Sequence, residues 1–306
     1  MSAASTTDLV PSDPGESAPA ISITGLTKRY GELWAVRDMS FDVPKGSVFG
    51  LIGPNGAGKS TTFSVLAALL LPTSGKVRVA GYDPESEPWE VRRRMGYMPD
   101  VMGVYDNLEV AEYLRFFAAS YHLPRKSWPG LVDGLLELVD LTTKKHALVD
   151  SLSRGMKQRL SLARALVHDP EVLILDEPAS GLDPRARFEL RQLLTQLRTM
   201  GKTVIISSHI LAELEEMCTD VAILEAGQLL AVGAPRDILR TLKGGRKVRV
   251  RIAGQEDQVH TVVDEEAQRE LLHRLVVEDG LPVIEFAEES GSLESAFMEI
   301  TKGIVQ

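Results

Sequence analysis

One eight-residue segment constrains the fold of this chain more than any other part of the sequence. Residues Gly53–Ser60 read GPNGAGKS, which matches the pattern G-x-x-x-x-G-K-[ST] in full. The segment follows the short apolar run Val48–Ile52 and precedes an apolar stretch, Ser60–Leu71, which we predict to be a helix stopped by Pro72. This strand–loop–helix context is the one that the pattern needs. A chance glycine-rich turn would not bring that context, so we predict a site for nucleotide phosphate.

The chemistry of this loop follows from its residue types. Glycines allow successive backbone N–H groups to converge on a phosphate, and the N-terminus of the following helix adds a partial positive charge. Lys59 can reach the β- and γ-phosphates, and the hydroxyl of Ser60 can bind Mg²⁺. The residues that we assign to this site are consecutive: Gly53, Pro54, Asn55, Gly56, Ala57, Gly58, Lys59, Ser60 and Thr61.

Two further apolar runs predict buried strands of the same sheet. Val172–Leu175 and Thr203–Ser207 are short, and the second is rich in β-branched residues. A helix fits between them, with Asp183 as its N-cap, Pro184 at its first position and Gly201 at its C-terminal stop. Strands that alternate with helices predict a parallel α/β sheet.

An acidic pair, Asp176 and Glu177, directly follows the first of these strands. In a doubly wound sheet, ligands bind beyond the carboxyl ends of the strands. Asp176 would then hold Mg²⁺, directly or through water, and Glu177 could polarise a water for attack on the γ-phosphate. Acids are common at strand ends for structural reasons alone; together with the Lys59 loop, the pair favours a functional site.

Composition excludes several classes of protein. The chain has 34 Lys+Arg and 43 Asp+Glu, a net charge of −9, which argues against a chain built to bind a nucleic acid backbone. Its single cysteine, Cys218, excludes an internal disulfide framework and indicates a reducing compartment. The longest apolar stretch, Phe63–Leu71, is too short for a membrane span, which needs about 20 residues.

The chain divides into four parts by sequence pattern. Residues 1–20 are rich in Ser, Ala, Pro and acids, and we predict a disordered lead-in. Strand-like patterning begins at Ile21, and residues 21–240 form the main domain. Within it, residues from about 98 to 167 are predicted to be a helical insertion, and residues 241–306 a small α+β accessory domain. The predicted elements of these last two parts are helices Leu108–Tyr121 and Gly130–Val139, then strand Lys247–Ile252, helix Glu265–Val276, strand Pro282–Phe286 and helix Leu293–Ile300.

Further segments complete a family resemblance. Residues Leu152–Leu160 read LSRGMKQRL, Ser180–Asp183 read SGLD, and His209 follows about 30 residues after Glu177. With the two motifs above and in this order, they make the chain resemble the ATP-binding cassette ATPases, the motor subunits of ABC transporters. The resemblance implies an α/β P-loop NTPase fold, with a RecA-like core, an antiparallel β subdomain and a helical insertion.

The Ser153 segment is an anion site in its own right. Ser153 is a good N-cap for the following helix, and Gly155 leaves the helix N-terminus open to a phosphate. By the resemblance, this site serves ATP bound to the Lys59 loop of a second cassette, so that two cassettes sandwich two ATP molecules head to tail. A simple helix cap is the alternative.

The resemblance also implies roles for three single residues. Asp183 belongs to the segment that crosses the dimer interface, and it can cap its own helix as well. His209 contacts the γ-phosphate and supports Glu177. Tyr30 stacks on adenine. A histidine at a strand end and a tyrosine in a turn otherwise have structural explanations.

The sequence departs from the family pattern at two positions. Asp100 follows Gly96–Pro99 where the family usually has Gln, and it can ligate Mg²⁺ more strongly while adding negative charge; alternatively it points away and marks a hinge. Met156 also replaces a usual Gln, and it cannot replace that side chain's hydrogen bonds. Ser153 and the Gly155 N–H remain, so we expect an active ATPase.

Aromatic residues of the insertion are candidates for contact with a membrane subunit, which in transporters is bound by this part of the cassette. We expect Phe116 and Phe117 to pack inside the insertion, whereas Tyr105, in a loop after Asp100, is the better interface candidate.

These observations predict the ATP-hydrolysing motor of an ABC transporter, an exporter, which dimerises and drives a separate integral permease from the cytoplasmic face of the membrane. Residues Leu293–Met298 are similar to the terminal helix of drug, polysaccharide and antibiotic exporters. The cofactors are ATP and Mg²⁺, with no nucleic acid partner. An ABC ATPase acting on ribosomes or DNA is disfavoured by the single cassette, the missing coiled coil and the acidic charge. A P-loop kinase leaves Ser153 and His209 unexplained.

Overall fold

The computed structural model describes residues 18–101, 103, 107–210, 214–215, 217–242 and 246–288. The strands, in chain order, are β1 (Ile21–Tyr30), β2 (Leu33–Val43), β3 (Val48–Ile52), β4 (Ser74–Val79), β5 (Met95–Met98), β6 (Val172–Leu175), β7 (Thr203–Ser208), β8 (Asp220–Glu225), β9 (Gln228–Gly233), β10 (Arg246–Ile252), β11 (Gln258–Val262) and β12 (Val283–Glu288). The main helices are α1 (Lys59–Leu66), α2 (Pro88–Arg94), α3 (Val110–Ser120), α4 (Trp128–Leu138), α5 (Arg154–Leu166), α6 (Pro184–Thr199), α7 (Pro235–Leu242) and α8 (Glu265–His273).

A six-stranded sheet forms the centre of the main domain. Its order is β5-β6-β7-β3-β8-β9, with the first five strands parallel and β9 antiparallel at the edge. Every residue of β3, β6 and β7 is buried, which is why these strands are continuous apolar runs in the sequence. The prediction of a parallel α/β sheet is confirmed. The loops after β3, β6 and β7 leave the sheet at one edge, because these strands are parallel neighbours.

The antiparallel β subdomain implied by the resemblance is also present. Strands β2, β1 and β4 form a three-stranded sheet in that order, and both pairs are antiparallel. Strands β1 and β2 form a hairpin in which Tyr30 pairs with Leu33 and Arg29 with Trp34. The tip of this hairpin therefore carries two aromatic side chains.

Helix α1 is shorter than the predicted Ser60–Leu71. It ends at Leu66, and Ala68 adopts a left-handed conformation with φ 55°. The N–H groups of Leu69 and Leu70 then both donate to the carbonyl of Ser64, at 2.9 and 3.1 Å. The chain thus leaves the helix before Pro72 is reached, and the side chain of Leu69 is exposed.

Helices α3, α4 and α5 occupy the predicted insertion. The packing prediction for its aromatics is half right. Phe117 packs against the large hydrophobic core and meets the ring of buried Tyr113 edge-on at 5.0 Å. Phe116, by contrast, is 46% exposed. Tyr105 lies outside the described residues.

The C-terminal part has its own sheet, β11-β10-β12, and its own small core under helix α8. Strand β11 was not predicted. The predicted helix Glu265–Val276 changes to a π-helical turn, Arg274–Glu278, after His273. The predicted helix Leu293–Ile300 and residues 1–17 of the predicted lead-in lie outside the described residues. In the described part of the chain, no helix is both long enough and apolar enough to cross a bilayer.

Candidate functional site

A cleft of about 480 Å³ opens where the loops after β3, β6 and β7 meet the tip of the β1–β2 hairpin. This volume lies within the range of small-molecule sites. The residues that line it are Tyr30, Leu33, Trp34, Ala35, Pro54, Asn55, Gly56, Ala57, Gly58, Lys59, Ser60, Thr61, Asp100, Glu177, Ser180 and His209. Most of the predicted site residues are thus brought together.

At two positions of the Lys59 loop, the surrounding backbone leaves no room for any side chain larger than that of glycine. A Cβ on Gly53 would lie 2.5 Å from the carbonyl oxygen of Leu224 in β8. A Cβ on Gly58, at φ 98°, would lie 2.5 Å from the carbonyl oxygen of Ala35 in β2. The loop therefore packs tightly between the two sheets, and Gly58 caps the N-terminus of helix α1 at the cleft.

The side chain of Lys59 folds back over its own loop. Its Nζ donates to the carbonyl oxygens of Gly53 at 2.6 Å and Pro54 at 3.3 Å. The same Nζ lies 3.5 Å from Oε1 of Glu177. The ammonium group and the carboxylate, predicted from two distant motifs, therefore form one ion pair, and a phosphate bound at the loop would compete with Glu177 for this cation.

Glu177 is held from two sides in an unusual backbone conformation. Its φ is 49°, which is a strained value for a residue with a side chain. Its N–H donates to the hydroxyl of Ser207 at 2.8 Å, and its Oε2 lies 2.8 Å from Nδ1 of His209. Because a carboxylate accepts, the Nδ1 proton of His209 is the one shared. Ser207 was not predicted as a site residue; a serine in a fully buried strand next to His209 was the available signal.

Asp176 is a buried carboxylate, and no basic side chain among the described residues forms an ion pair with it. It is 3% exposed and accepts a 2.6 Å hydrogen bond from the hydroxyl of Ser207. Burial raises the pKa of Asp176; hydrogen bonds from Ser207 and Ser60 oppose that rise, and the charges of Glu177 and Asp100 add to it. A cation placed next to Asp176 would relieve this cost.

These oxygen donors suit Mg²⁺. The hydroxyl of Ser60 and the carboxylates of Asp176 and Asp100 are hard ligands of the type that this ion prefers. Within the described ranges, no three His, Cys, Asp or Glu side chains converge to form a metal cage. Mg²⁺ is usually bound by one or two carboxylates together with waters and substrate phosphates, so the residues present fit it. Asp100 is among the residues that line the cleft.

Aromatic rings close the cleft at the hairpin tip. Tyr30 is exposed, with Nζ of Lys28 5.1 Å from its ring centre. Trp34, which was not singled out in the sequence, has the guanidinium groups of Arg29 and Arg37 each 5.3 Å from its ring centre. Both rings line the cleft and offer faces on which a planar base can stack.

The Ser153 segment does not take part in this cleft. The hydroxyl of Ser153 accepts from the N–H of Met156 at 3.3 Å, and the carboxylate of Asp183 accepts from the N–H of Ala186 at 2.8 Å. Ser153, Gly155 and Asp183 are not among the residues that line the cleft, and Ser153 and Asp183 are exposed. The side chain of Met156 packs against the hydrophobic core, a place that does not require the hydrogen bonds of Gln.

Comparison with known proteins gives concordant matches. A family model described as ABC transporter matches residues 36–180. The Nod factor export ATP-binding protein I of Ralstonia nicotianae is 38% identical over 230 residues, 75% of this chain and 72% of that protein. Its namesake from Rhizobium etli is 36% identical over 254 residues, 82% and 79% of the two chains. The Probable multidrug ABC transporter ATP-binding protein YbhF of Escherichia coli is 39% identical over 74% of this chain, which covers 38% of that longer protein.

Solved structures agree. One described as the ATP binding subunit of an ABC transporter is 27% identical, with a TM-score of 0.70, over 92% of this chain and 99% of that one. The cbiO1 protein of Clostridium perfringens, described as part of the ABC transporter complex cbiONQ, is 25% identical with a TM-score of 0.67, over 86% and 97%.

Proposed function

The chain belongs to the family of ABC transporter ATP-binding proteins, ATPases coupled to transport, and on that premise we propose that ATP is bound and hydrolysed in the cleft around Lys59 and Glu177. The observation that carries this proposal is the chain of contacts from Lys59 to Glu177 at 3.5 Å and from Glu177 to His209 at 2.8 Å. These contacts support a site in which Lys59 binds phosphate, Glu177 acts as the base and His209 orients it.

Nucleotide binding uses the two ends of the cleft. The backbone N–H groups of the Gly53–Ser60 loop and the N-terminus of α1 attract the phosphates. Tyr30 and Trp34 accept the adenine ring by stacking, at the hairpin tip. Lys59 gives up its contact with Glu177 to reach the phosphates, so binding frees Oε1 of that carboxylate.

Mg²⁺ fits next to Asp176, with Ser60 and Asp100 as further donors. When bound, it neutralises charge on the phosphate oxygens. The chain's own contribution is to hold these oxygens in place, since the hydroxyl of Ser207 orients the carboxylate of Asp176.

Hydrolysis uses Glu177 as the general base. Its Oε2 is fixed by His209, so Oε1 is the oxygen available to accept a proton from the attacking water once Lys59 has moved to the phosphates. The carboxylate is partly buried, with a side-chain exposure of 13%, which limits competition by bulk water.

Two copies complete the catalytic unit in this proposal. Ser153 and Gly155 present the N-terminus of α5 outside their own cleft, and Asp183 caps the next helix, α6. We place the ATP of a second copy against this N-terminus, with the Ser180–Asp183 segment at the interface between the two copies. The second copy in turn receives the ATP held by the first.

A separate groove is the candidate contact with the permease. It has a volume of about 720 Å³ and runs between α2 and the end of α3, with Trp89, Leu69 and Tyr121 among its apolar walls. Trp89 is 73% exposed, which is unusual for so large an apolar side chain. The names of the relatives support export as the direction of transport.

The permease contact is tested with Trp89→Glu. We expect the variant to lose co-purification with an integral protein from detergent-solubilised membranes. ATP turnover of the isolated chain should stay within about twofold, because Trp89 is not among the residues that line the cleft. Val263→Glu changes another exposed apolar residue, in the C-terminal part, and serves as the control. If Trp89→Glu and Val263→Glu co-purify with the integral protein to the same extent, the groove is not the permease contact.

The hydrolytic role is tested with Glu177→Gln. Loss of a general base costs on the order of 10²- to 10⁴-fold in turnover, whereas ATP binding should remain. Glu171→Gln is a matched control, since Glu171 lies just before the other end of β6 and is exposed. Turnover of Glu177→Gln at the wild-type rate would show that another group is the base.

A further inference from the structure

The amide of Gln158 lies where an apolar side chain would be expected. Gln158 is 9% exposed and lines a cavity of about 290 Å³ whose walls include Leu162, Leu182 and Leu193. Within the part of the chain that the structure describes, its buried Oε1 has no hydrogen-bond partner. A buried polar atom without a partner costs stability. Packing therefore does not explain why this position carries an amide.

The other end of the amide contacts the turn that follows the proposed base. Nε2 of Gln158 donates to the carbonyl oxygen of Ser180 at 3.0 Å. The N–H of Ser180 in turn donates to the carbonyl oxygen of Glu177, also at 3.0 Å. Two hydrogen bonds thus join helix α5 to the backbone of Glu177.

Glu177 needs such support because its backbone is strained. A non-glycine residue at φ 49° keeps that conformation only when its surroundings hold it. Ser207 holds the N–H of Glu177 from the side of strand β7. The turn closed by Ser180 holds its carbonyl from the opposite side, and Gln158 anchors that turn to α5.

A second contact presses the same turn against α5. A Cβ on Gly181, at φ 69°, would lie 2.5 Å from Nη1 of Arg154, so the guanidinium rests directly on this glycine. Nη2 of Arg154 is also 3.5 Å from Oγ of Ser180. The Arg154 contact is exposed and 3.5 Å long, whereas the Gln158 bond is part-buried and 3.0 Å long, which makes Gln158 the firmer anchor.

We propose that Gln158 is a positioning residue for ATP hydrolysis, which acts through Ser180 on the backbone of Glu177. The proposal rests on the role of Glu177 as general base given above. Gln158 is not among the residues that line the cleft; it sets the direction in which the Glu177 carboxylate leaves the strand.

The variant Gln158→Met keeps the length of the side chain and removes both polar ends. Because a small displacement of a reacting group is enough to cost a large part of the rate, we expect kcat for ATP to fall about 10- to 100-fold. The KM for ATP should stay within about twofold, since the phosphate loop is untouched. The melting temperature should not fall by more than a few degrees, because the unpaired Oε1 is removed together with the lost bond.

Gln192→Met is the matched control, since Gln192 lines the same cavity from helix α6 and is exposed. Its kcat should equal that of the unmodified protein. Gln158→Asn is a second variant, which keeps the amide but is one methylene too short to reach Ser180. Its kcat should fall as that of the Met variant does. It also replaces the Met variant if Gln158→Met does not fold.

The decisive comparison repeats Gln158→Met in a Glu177→Gln background. If Gln158 acts through Glu177, the second change should lower the residual turnover by less than about twofold, because interacting residues are not additive. An equal fold-loss in both backgrounds, an unchanged kcat in the single variants, or a raised KM with unchanged kcat would overturn the proposal. Wild-type turnover in Glu177→Gln alone would instead refute the base itself, and with it the premise on which this role depends.

Discussion

The two regions that we assign to nucleotide are built in opposite ways. In the cleft, Lys59, Glu177 and His209 contact one another, and Asp176 is buried behind them. Around Ser153, the polar side chain caps its own helix and is otherwise turned outward. The cleft residues meet within one chain, whereas we propose that the Ser153 surface is a half-site. In that proposal, the second copy supplies the part of the nucleotide site that one chain does not provide.

The largest effect is expected from Lys59→Ala, which removes the cation of the assembled region. Turnover should fall by at least about 10³-fold and ATP binding should be lost, since no other cation lines the phosphate loop in the described cleft. Isothermal titration with ATP and a phosphate-release assay measure both. Lys76→Ala, at an exposed position of β4, is the control. An ATP Kd within tenfold of the unmodified protein would contradict this assignment.

The next effect separates the outward region from the cleft. Ser153→Arg places bulk and charge on the proposed contact with the second copy, so turnover should fall by at least about tenfold while the ATP affinity of the monomer is unchanged. Ser153→Ala removes only the cap, which costs about 1 kcal/mol of helix stability, and should lose less turnover. Weakened ATP binding by the Ser153→Arg monomer would show that the two regions are not separate.

The smallest effect concerns stability. The pKa of Asp176 is raised in the folded state, so its contribution to stability is greatest at low pH and is lost as pH rises through the raised pKa. At neutral pH, Asp176→Asn should therefore melt at the same temperature or a few degrees higher in the absence of nucleotide and Mg²⁺.

Asp183, the exposed N-cap of α6, is the control for the melting experiment on Asp176. Asn caps helices about as well as Asp, so Asp183→Asn should leave the melting temperature at neutral pH unchanged. A loss of several degrees in Asp176→Asn at neutral pH would show that the buried carboxylate is stabilising, against the direction of its pKa shift.

The local sequence pattern was sufficient to predict the parallel core and the phosphate loop, because buried strands are continuous apolar runs and the space around the loop requires its glycines. It was not sufficient to predict features that depend on tertiary contacts. The end of α1 depends on the conformation of Ala68, which no residue type there dictates. The roles of Trp34 and Ser207 depend on neighbours far away in sequence, and the placement of Asp100 in the cleft could be decided only by the fold.

The central claim is that two copies of this chain close around ATP. Its most direct test is the mass of Glu177→Gln in solution, measured by sedimentation or light scattering with and without saturating ATP and Mg²⁺. We predict a monomer without ATP and a dimer with two bound ATP molecules, because slow hydrolysis traps the closed state. A Glu177→Gln chain that binds ATP fully and remains a monomer would contradict the account.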